Sequence, residues 1–198
     1  TMAARAIGVP VKSIDLKFSS DIDPHCREVI RQNNPGRKII YEDVTQVDHN
    51  HTPNVDIFTA GIPCQPFSGE GARLGTTDKR GRIGTHCIDY ILTQRPKCFI
   101  LEHVHGFAAG RNQVYFRDLM NKLGCVVDSS GDAFYTLEFA MLNTLSQGLP
   151  QSRKRLYIVG IATTHMTKHF TFPPEIAPVS AESLLDPLVT NTIRHPEW

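Results

Sequence analysis

Short apolar, β-rich runs alternate along the chain with stretches in which apolar residues return every three or four positions. That alternation predicts parallel strands joined by crossover helices. Strands are predicted at Val11 to Phe18, Val55 to Ala60, Lys97 to Glu102 and Leu156 to Ala162. Between them Pro24 opens "PHCREVIRQN" as a helix, at a position where its missing N–H is not needed. Ile83, Cys87 and Ile91 share one helical face, and Phe116, Leu119, Met120 and Leu123 repeat at helical spacing with Gly124 as the stop. From Asp128 to Gly148 a polar "DSSGD" gives way to "AFYTLEFAMLNTLSQG", which reads as one or two strands. The tail from Phe172, "FPPEIAPVSAESLLDPLV", reads as an exit loop followed by a short amphipathic turn. No internal repeat or low-complexity tract interrupts the pattern.

Composition narrows the class. A chain of 198 residues with 40% apolar and 21% charged residues suits one globular domain with a substantial core. Its five cysteines are odd in number, form no CxxC pair and follow no leader, which predicts reduced thiols in an intracellular compartment and no disulfide framework. No apolar run approaches the roughly 18 residues of a membrane span. The formal charge of +1 supplies no global pull on nucleic acid or membrane, leaving only local basic patches. His49 and His51 in "VDHNHTPN" are the closest histidine pair, but no cysteine stands at ligand spacing beside them, so a polar surface loop is expected there and no metal.

In an open α/β sheet ligands sit beyond the carboxyl ends of the strands, and there the sequence is chemical. Asp21 follows the first strand in "SSDID", Asp43 lies in "YEDVTQV", Cys64 in "AGIPCQPFSGEGARLG" and Glu102 in "LEHVHGF". Arg153 and Arg155 precede the last strand in "GLPQSRKRLYIVG". Pro63 and Pro66 hold the backbone around Cys64 extended or turned, so the thiol is presented on a rigid turn outside any helix. Cys26, Cys87, Cys98 and Cys125 fall within helix or strand patterns and read as packing residues. Singly, each candidate has a plainer reading: Asp21 as a helix N-cap, Glu102 as a surface acid, the arginines as a solvated face and Cys64 as a structural thiol.

Together these stretches resemble the catalytic domain of the cytosine-5 DNA methyltransferases. "GIPCQPFS" is similar to that family's Pro-Cys-Gln motif, "DKRGRI" to its Arg-Gly turn, "FILEHVHGF" to its Glu-Asn-Val motif and "LPQSRKRLYIVG" to its Gln-x-Arg-x-Arg motif. Order and spacing agree from "MAARAIG" to "FTFPPE", with one departure: His103 stands where the family has Asn. The resemblance implies an α/β, Rossmann-like fold with a mostly parallel sheet and helices on both faces. Residues 1–198 would form a single, partial catalytic domain without a target-recognition domain, and the methyl donor would be S-adenosyl-L-methionine. Cys64 would add to carbon 6 of a flipped-out cytosine in duplex DNA, because carbon 5 is a poor nucleophile until a thiolate pushes electrons into the ring. Glu102, protonated, would meet ring nitrogen 3, Arg155 the cytosine oxygen, and Arg153 would support the site. For the cofactor, Asp21 would accept from the ribose hydroxyls, Ile22 would pack on the adenine and Asp43 would accept from its amine. Val44 would give a backbone contact, and Pro63 and Ile83 would line the methionine side. Gln65, Ser68, Arg73, Lys79, Arg80 and Arg82 would meet the nucleic acid, in a glycine-rich loop that closes over the backbone.

Three other readings stand beside this one. His103 favours a non-catalytic family member that serves as a binding scaffold, an RNA cytosine-5 methyltransferase would share the fold, and a thiol hydrolase built on Cys64 and a histidine is remote. The resemblance also implies a strand and glycine-rich turn ahead of Thr1, and a recognition domain and closing motif after Trp198. Weak adenosylmethionine binding, and no transfer by the chain alone, are therefore expected unless those segments come in cis or from a second chain. The expected location is intracellular: the nucleus in a eukaryote, the cytoplasm or nucleoid in a bacterium, with no membrane partner.

Overall fold

The computed structural model describes residue 10 and residues 13–34, 39–62 and 83–184. The stretch "MAARAIG", residues 63–82 and the tail beyond residue 184 lie outside those residues. Six strands are described: β1 (Phe18–Ser20), β2 (Ile39–Tyr41), β3 (Ile57–Gly61), β4 (Cys98–Val104), β5 (Tyr135–Asn143) and β6 (Lys154–Ala162). Three helices join them: α1 (Pro24–Asn33), α2 (Ile83–Gln94) and α3 (Gln113–Gly124). Strands β1 and β2 pair in parallel, and a four-stranded sheet has the order β3-β4-β6-β5. Strand β3 is parallel to β4, while β6 is antiparallel to both of its neighbours, so within this sheet only β6 runs against the others. This is the expected α/β class.

Local chemistry accounts for the element ends. Asp23 caps α1, its carboxylate accepting from the His25 N–H at 2.7 Å, and Pro24 takes the first helical position. Asp23, then, is the cap that the sequence reading offered to Asp21. Helix α2 ends at Arg95, which adopts φ +47° just before Pro96 and donates its N–H to Ile91 O. Its guanidinium lies 5.3 Å from the centre of the Phe134 ring and donates to Val127 O. Helix α3 buries Phe116, Leu119 and Leu123, as its spacing predicts, but Gly124 is its last helical residue and has no positive φ. The cap is Cys125, whose N–H returns to Asn121 O.

Several expectations are corrected. The first strand does not run from Val11 to Phe18: Ser13 sits in a turn and β1 begins at Phe18. Propensity reads the apolar run as extended, yet among its described residues Phe18 alone has a partner on β2. The Asp128 to Gly148 stretch holds a single nine-residue strand, β5, entered through a turn in which Asp128 accepts from Ser130 and Asp132 N–H groups. Strand β4 continues to Val104 because β6 pairs with it beyond the end of β3, so Glu102 lies inside the strand rather than at its end. Cys26 and Cys125 are exposed and do not pack, whereas Cys87 is buried and Cys98 half-buried.

The core forms where β4 and β6 face each other. Phe99, Leu101 and His103 alternate inward on β4 with 0%, 1% and 1% exposure, and their partners on β6 are Gly160, Ile158 and Leu156. A Cβ on Gly160 would stand 2.2 Å from two atoms of the Phe99 ring, and that fully buried ring has no room to swing aside. Gly160→Ala is expected to destabilise the chain by about 3 kcal/mol through overpacking. Gly124→Ala, whose added methyl meets nothing closer than 3.8 Å, is expected to leave stability unchanged or slightly raised. Urea denaturation of the two variants checks both.

Candidate active site

Strand β3 stops at Gly61, opposite Glu102, and Ile62 N donates to Glu102 O at 3.0 Å. The Glu102 carboxylate lies over this strand end, with Oε2 3.7 Å from the point where a Cβ on Gly61 would stand. On the far side of β4, antiparallel pairing puts Tyr157 opposite Glu102 and Arg155 opposite Val104. Residues two apart on a strand point to the same face, so Arg155 reaches along β4 to Glu102. Its Nε donates to Glu102 Oε1 at 2.9 Å, with the side chains 20% and 31% exposed. A second donor, Nη1, bonds Lys154 O at 2.8 Å. Thus Glu102 and Arg155, assigned separately from sequence, form one ion pair at the rim of the sheet. Arg153 is exposed one turn of the ladder earlier.

His103 faces the opposite way. Its ring stacks on Phe107 with centroids 4.1 Å apart and planes 17° from parallel, and Nδ1 accepts from the Val104 N–H at 2.8 Å. An N–H aimed at Nδ1 leaves the neutral ring with its proton on Nε2. Burial, with a smaller contribution from the neighbouring Arg155 cation, pushes His103 down to about 4.

A second group of candidates gathers at the ends of β1 and β2. The register Ser20↔Tyr41 brings Asp21 and Asp43 to the same carboxyl edge. Asp21 Oδ1 accepts from Asp23 N at 2.9 Å and Ile22 stands 73% exposed beside it. Arg27 of α1, which the sequence reading passed over, donates through Nη1 to Asp21 O and Ile22 O at 2.9 and 2.8 Å and pairs with Glu42 at 3.6 Å. It ties the Asp21–Ile22 turn to the end of β2; a single arginine on an amphipathic helix carries no sequence signal of that task. Asp43 caps a short turn, its Oδ1 accepting from the Thr45 hydroxyl at 2.7 Å and the Thr45 N–H at 2.9 Å, and these bonds hold its carboxyl below the usual range. Val44 turns its side chain into a small apolar cavity of about 20 Å³ against Phe18, Phe58 and Tyr90. Asp43 also borders an open cleft of about 440 Å³, within the range of small-molecule sites. Of the cofactor candidates only Asp43 lines that cleft, beside Tyr41, Glu42 and Gln46; Asp21 and Ile22 do not. Ile83 opens α2 and is half-buried.

Pro63, Cys64, Gln65, Ser68, Arg73, Lys79, Arg80 and Arg82 lie outside the described residues. Of the cysteines described, burial pushes the Cys87 thiol up to about 12 and raises Cys98 as well, which makes both poor nucleophiles. His49 and His51 form one short helical turn in which His51 bonds Asp48 at 2.7 Å, and no group of metal-ligating side chains occurs among the described residues.

The C-5 cytosine-specific DNA methylase family model matches residues 3–195, and the chain belongs to that family. It is 38% identical over 145 residues to Type II methyltransferase M.NgoBI of Neisseria gonorrhoeae, covering 73% of this chain and 43% of that one. With M.HaeII of Haemophilus aegyptius it is 36% identical over 162 residues, 80% of this chain and 46% of the relative. The chain spans about a third to a half of the length of the curated relatives it matches. In fold it resembles Entamoeba histolytica methyltransferase EhMeth, with TM-score 0.65 at 17% identity over 92% of this chain and 55% of that one. Spodoptera frugiperda DNMT2 gives TM-score 0.62 at 21% identity over 87% and 52%. Membership in a methylase family implies a methyl donor.

The depressed His103 has a consequence for stability. Below its ordinary value near 6.5 the unfolded chain takes up a proton at residue 103 that the folded chain refuses down to about 4. Folding is therefore expected to weaken as pH falls through this window, by about 3 kcal/mol at most. His103→Asn, which has nothing to titrate, is expected to show a flatter profile between pH 7 and pH 4, measured by urea denaturation at each pH.

Proposed function

We propose that this chain carries the cytosine-binding and nucleophilic half of an enzyme that methylates carbon 5 of cytosine in DNA. The observation that supports this most is the Glu102–Arg155 pair at the end of β3, the strand that leads into Cys64. Only two peptide links separate Cys64 from Ile62, a span of about 7.6 Å at most, and Ile62 is itself hydrogen-bonded to Glu102. Thiol, acid and guanidinium thus belong to one small region, and a planar base held there meets a nucleophile on one side and a donor pair at its polar edge.

Each residue then has a task. Cys64 would attack carbon 6 as the thiolate, the electrons of the 5,6 double bond would make carbon 5 nucleophilic, and after methylation loss of the carbon 5 proton would restore the double bond and expel the thiolate. Arg155 donates to the base oxygen, a role suited to a group that never loses its proton. Glu102 accepts Arg155 in the resting chain, so to meet ring nitrogen 3 as a donor it must first release the guanidinium and take up a proton. A docking base that offers the guanidinium an acceptor oxygen of its own can displace this pair. Arg153 supports the site from its edge. Asp21, Ile22, Asp43 and Val44 would hold the adenosine of S-adenosyl-L-methionine, with Pro63 and Ile83 beside its methionine side; bound there, the cofactor supplies an electrophilic methyl group. Gln65, Ser68, Arg73, Lys79, Arg80 and Arg82 would meet the DNA. The reaction would take place inside the cell, on duplex DNA; no described helix is long and apolar enough to cross a membrane.

The test is tritium transfer from labelled adenosylmethionine to a cytosine-containing duplex and, in parallel, to transfer RNA. It is run with the chain alone and with the chain grafted over the matching stretch of M.HaeII. Label on the duplex, lost by about a thousandfold or more in Cys64→Ser, is the expected result for the graft. Label on the RNA alone would move the proposal to RNA, and equal labelling with and without the thiol would remove Cys64 from the chemistry. Calorimetry of adenosylmethionine against the graft and its Asp21→Ala form checks the ribose assignment, where a loss of affinity is expected.

A further inference from the structure

We infer that Asn143 is the positioning residue for the two active-site arginines: its carboxamide clamps the neck of the β5–β6 loop and so sets where Arg153 and Arg155 stand. Asn143 is the last residue of β5, paired with Lys154 at the start of β6, and residues 144–153 form the loop between them. Its Oδ1 accepts from the Arg153 N–H at 2.9 Å and from the Leu145 N–H at 3.3 Å. Its Nδ2 donates to Ser152 Oγ at 3.3 Å. One side chain therefore gathers both arms of the loop, the residue that leaves β5 and the two that enter β6.

Thr144 adds a second layer. Its hydroxyl donates to Gln151 O and accepts from Arg153 N at 3.2 Å, and its own N–H donates to Arg153 O at 3.2 Å. The Arg153 amide is thus shared between two side chains from the end of β5, and its carbonyl is held by the backbone between them. The Asn143 carboxamide supplies acceptor and donor from one planar group. Asn143 touches neither Glu102 nor the Arg155 guanidinium in any bond described; it acts through the strand. Arg155 is the second residue of β6, opposite Leu142 and Val104, and the ends of a hairpin are where a ladder opens first. With the neck closed, that end cannot fray or slip, and the Arg155 Nε stays within reach of Glu102 Oε1.

The importance given to Arg155 rests on the proposed function, whereas the clamp is a matter of geometry that can be tested without methyl transfer. The measurement is solvent exchange of the Arg155 Nε–H by ¹⁵N NMR in the 198-residue chain, the signal being assigned by its loss in Arg155→Lys. Asn143→Ala is expected to speed that exchange about tenfold, the effect of losing one modest hydrogen bond at the neck. Asn143→Ser, too short to reach the Arg153 amide, is expected to do the same if the alanine variant does not fold. Asn143→Asp keeps an acceptor for both N–H groups and is expected to stay near the parent rate. Asn34→Ala removes a comparable amide bond, to Ile30 O at the end of α1, and is expected to have no effect. Unchanged exchange in folded Asn143→Ala or Asn143→Ser, or an equal rise in Asn34→Ala, would overturn the clamp. A chain that exchanged as expected but failed to label DNA would leave the clamp standing and count against the reaction alone.

Discussion

The antiparallel register of β6 on β4 is the constraint on which the site depends. Pairing Glu102 with Tyr157 and Val104 with Arg155 places an acid and a guanidinium two residues apart on one face, where they meet without any loop having to bring them together. A slip of one residue would turn Arg155 to the other face and bury a cation against Phe99 and Leu101. The close approach of Gly160 to Phe99 makes that register stiff: the pairing that packs the core is the same pairing that aims the arginine. The rest of the sheet then follows, with β3 ending beside Glu102 and handing the chain to the cysteine-bearing stretch.

The inward alternation of β4 also explains what His103 does in this chain. Its position is fixed by the pleat, between Leu101 and the end of the strand, and the only environment available is the apolar one around Phe107 and Phe116. A histidine there is tolerated as a neutral, stacked ring. It lies on the face away from Glu102, and is linked to that residue through packing and backbone.

Much of this was legible in the sequence, for physical reasons. Helices α1 and α3 announce themselves through Pro24 and through the spacing of Phe116, Leu119 and Leu123, signals that are local. The acids at the strand ends were legible because they stand where apolar runs stop. What escaped depends on partners distant in sequence. The extent of β4 is decided by β6, about fifty positions away, so Glu102 reads from sequence as the strand's last residue rather than one within it. Residues 11–17 look extended by composition, yet the ladder with β2 takes only Phe18 onward. Arg27, Asn143 and Thr144 are ordinary polar residues whose roles consist of bonds to backbone atoms, and no spacing rule distinguishes such residues from solvated ones.

The central claim is that a thiol at the end of β3 attacks a cytosine held by Glu102 and Arg155. Its most direct test is covalent trapping on duplex DNA carrying 5-fluorocytosine, where fluorine at carbon 5 prevents the elimination that would release the enzyme. With adenosylmethionine present and the chain grafted over the matching stretch of M.HaeII, mass spectrometry of the digested complex is expected to find the nucleotide on Cys64 and on no other cysteine of the chain. An adduct on Cys26, Cys87, Cys98 or Cys125, or efficient methylation with no adduct at all, would contradict the account.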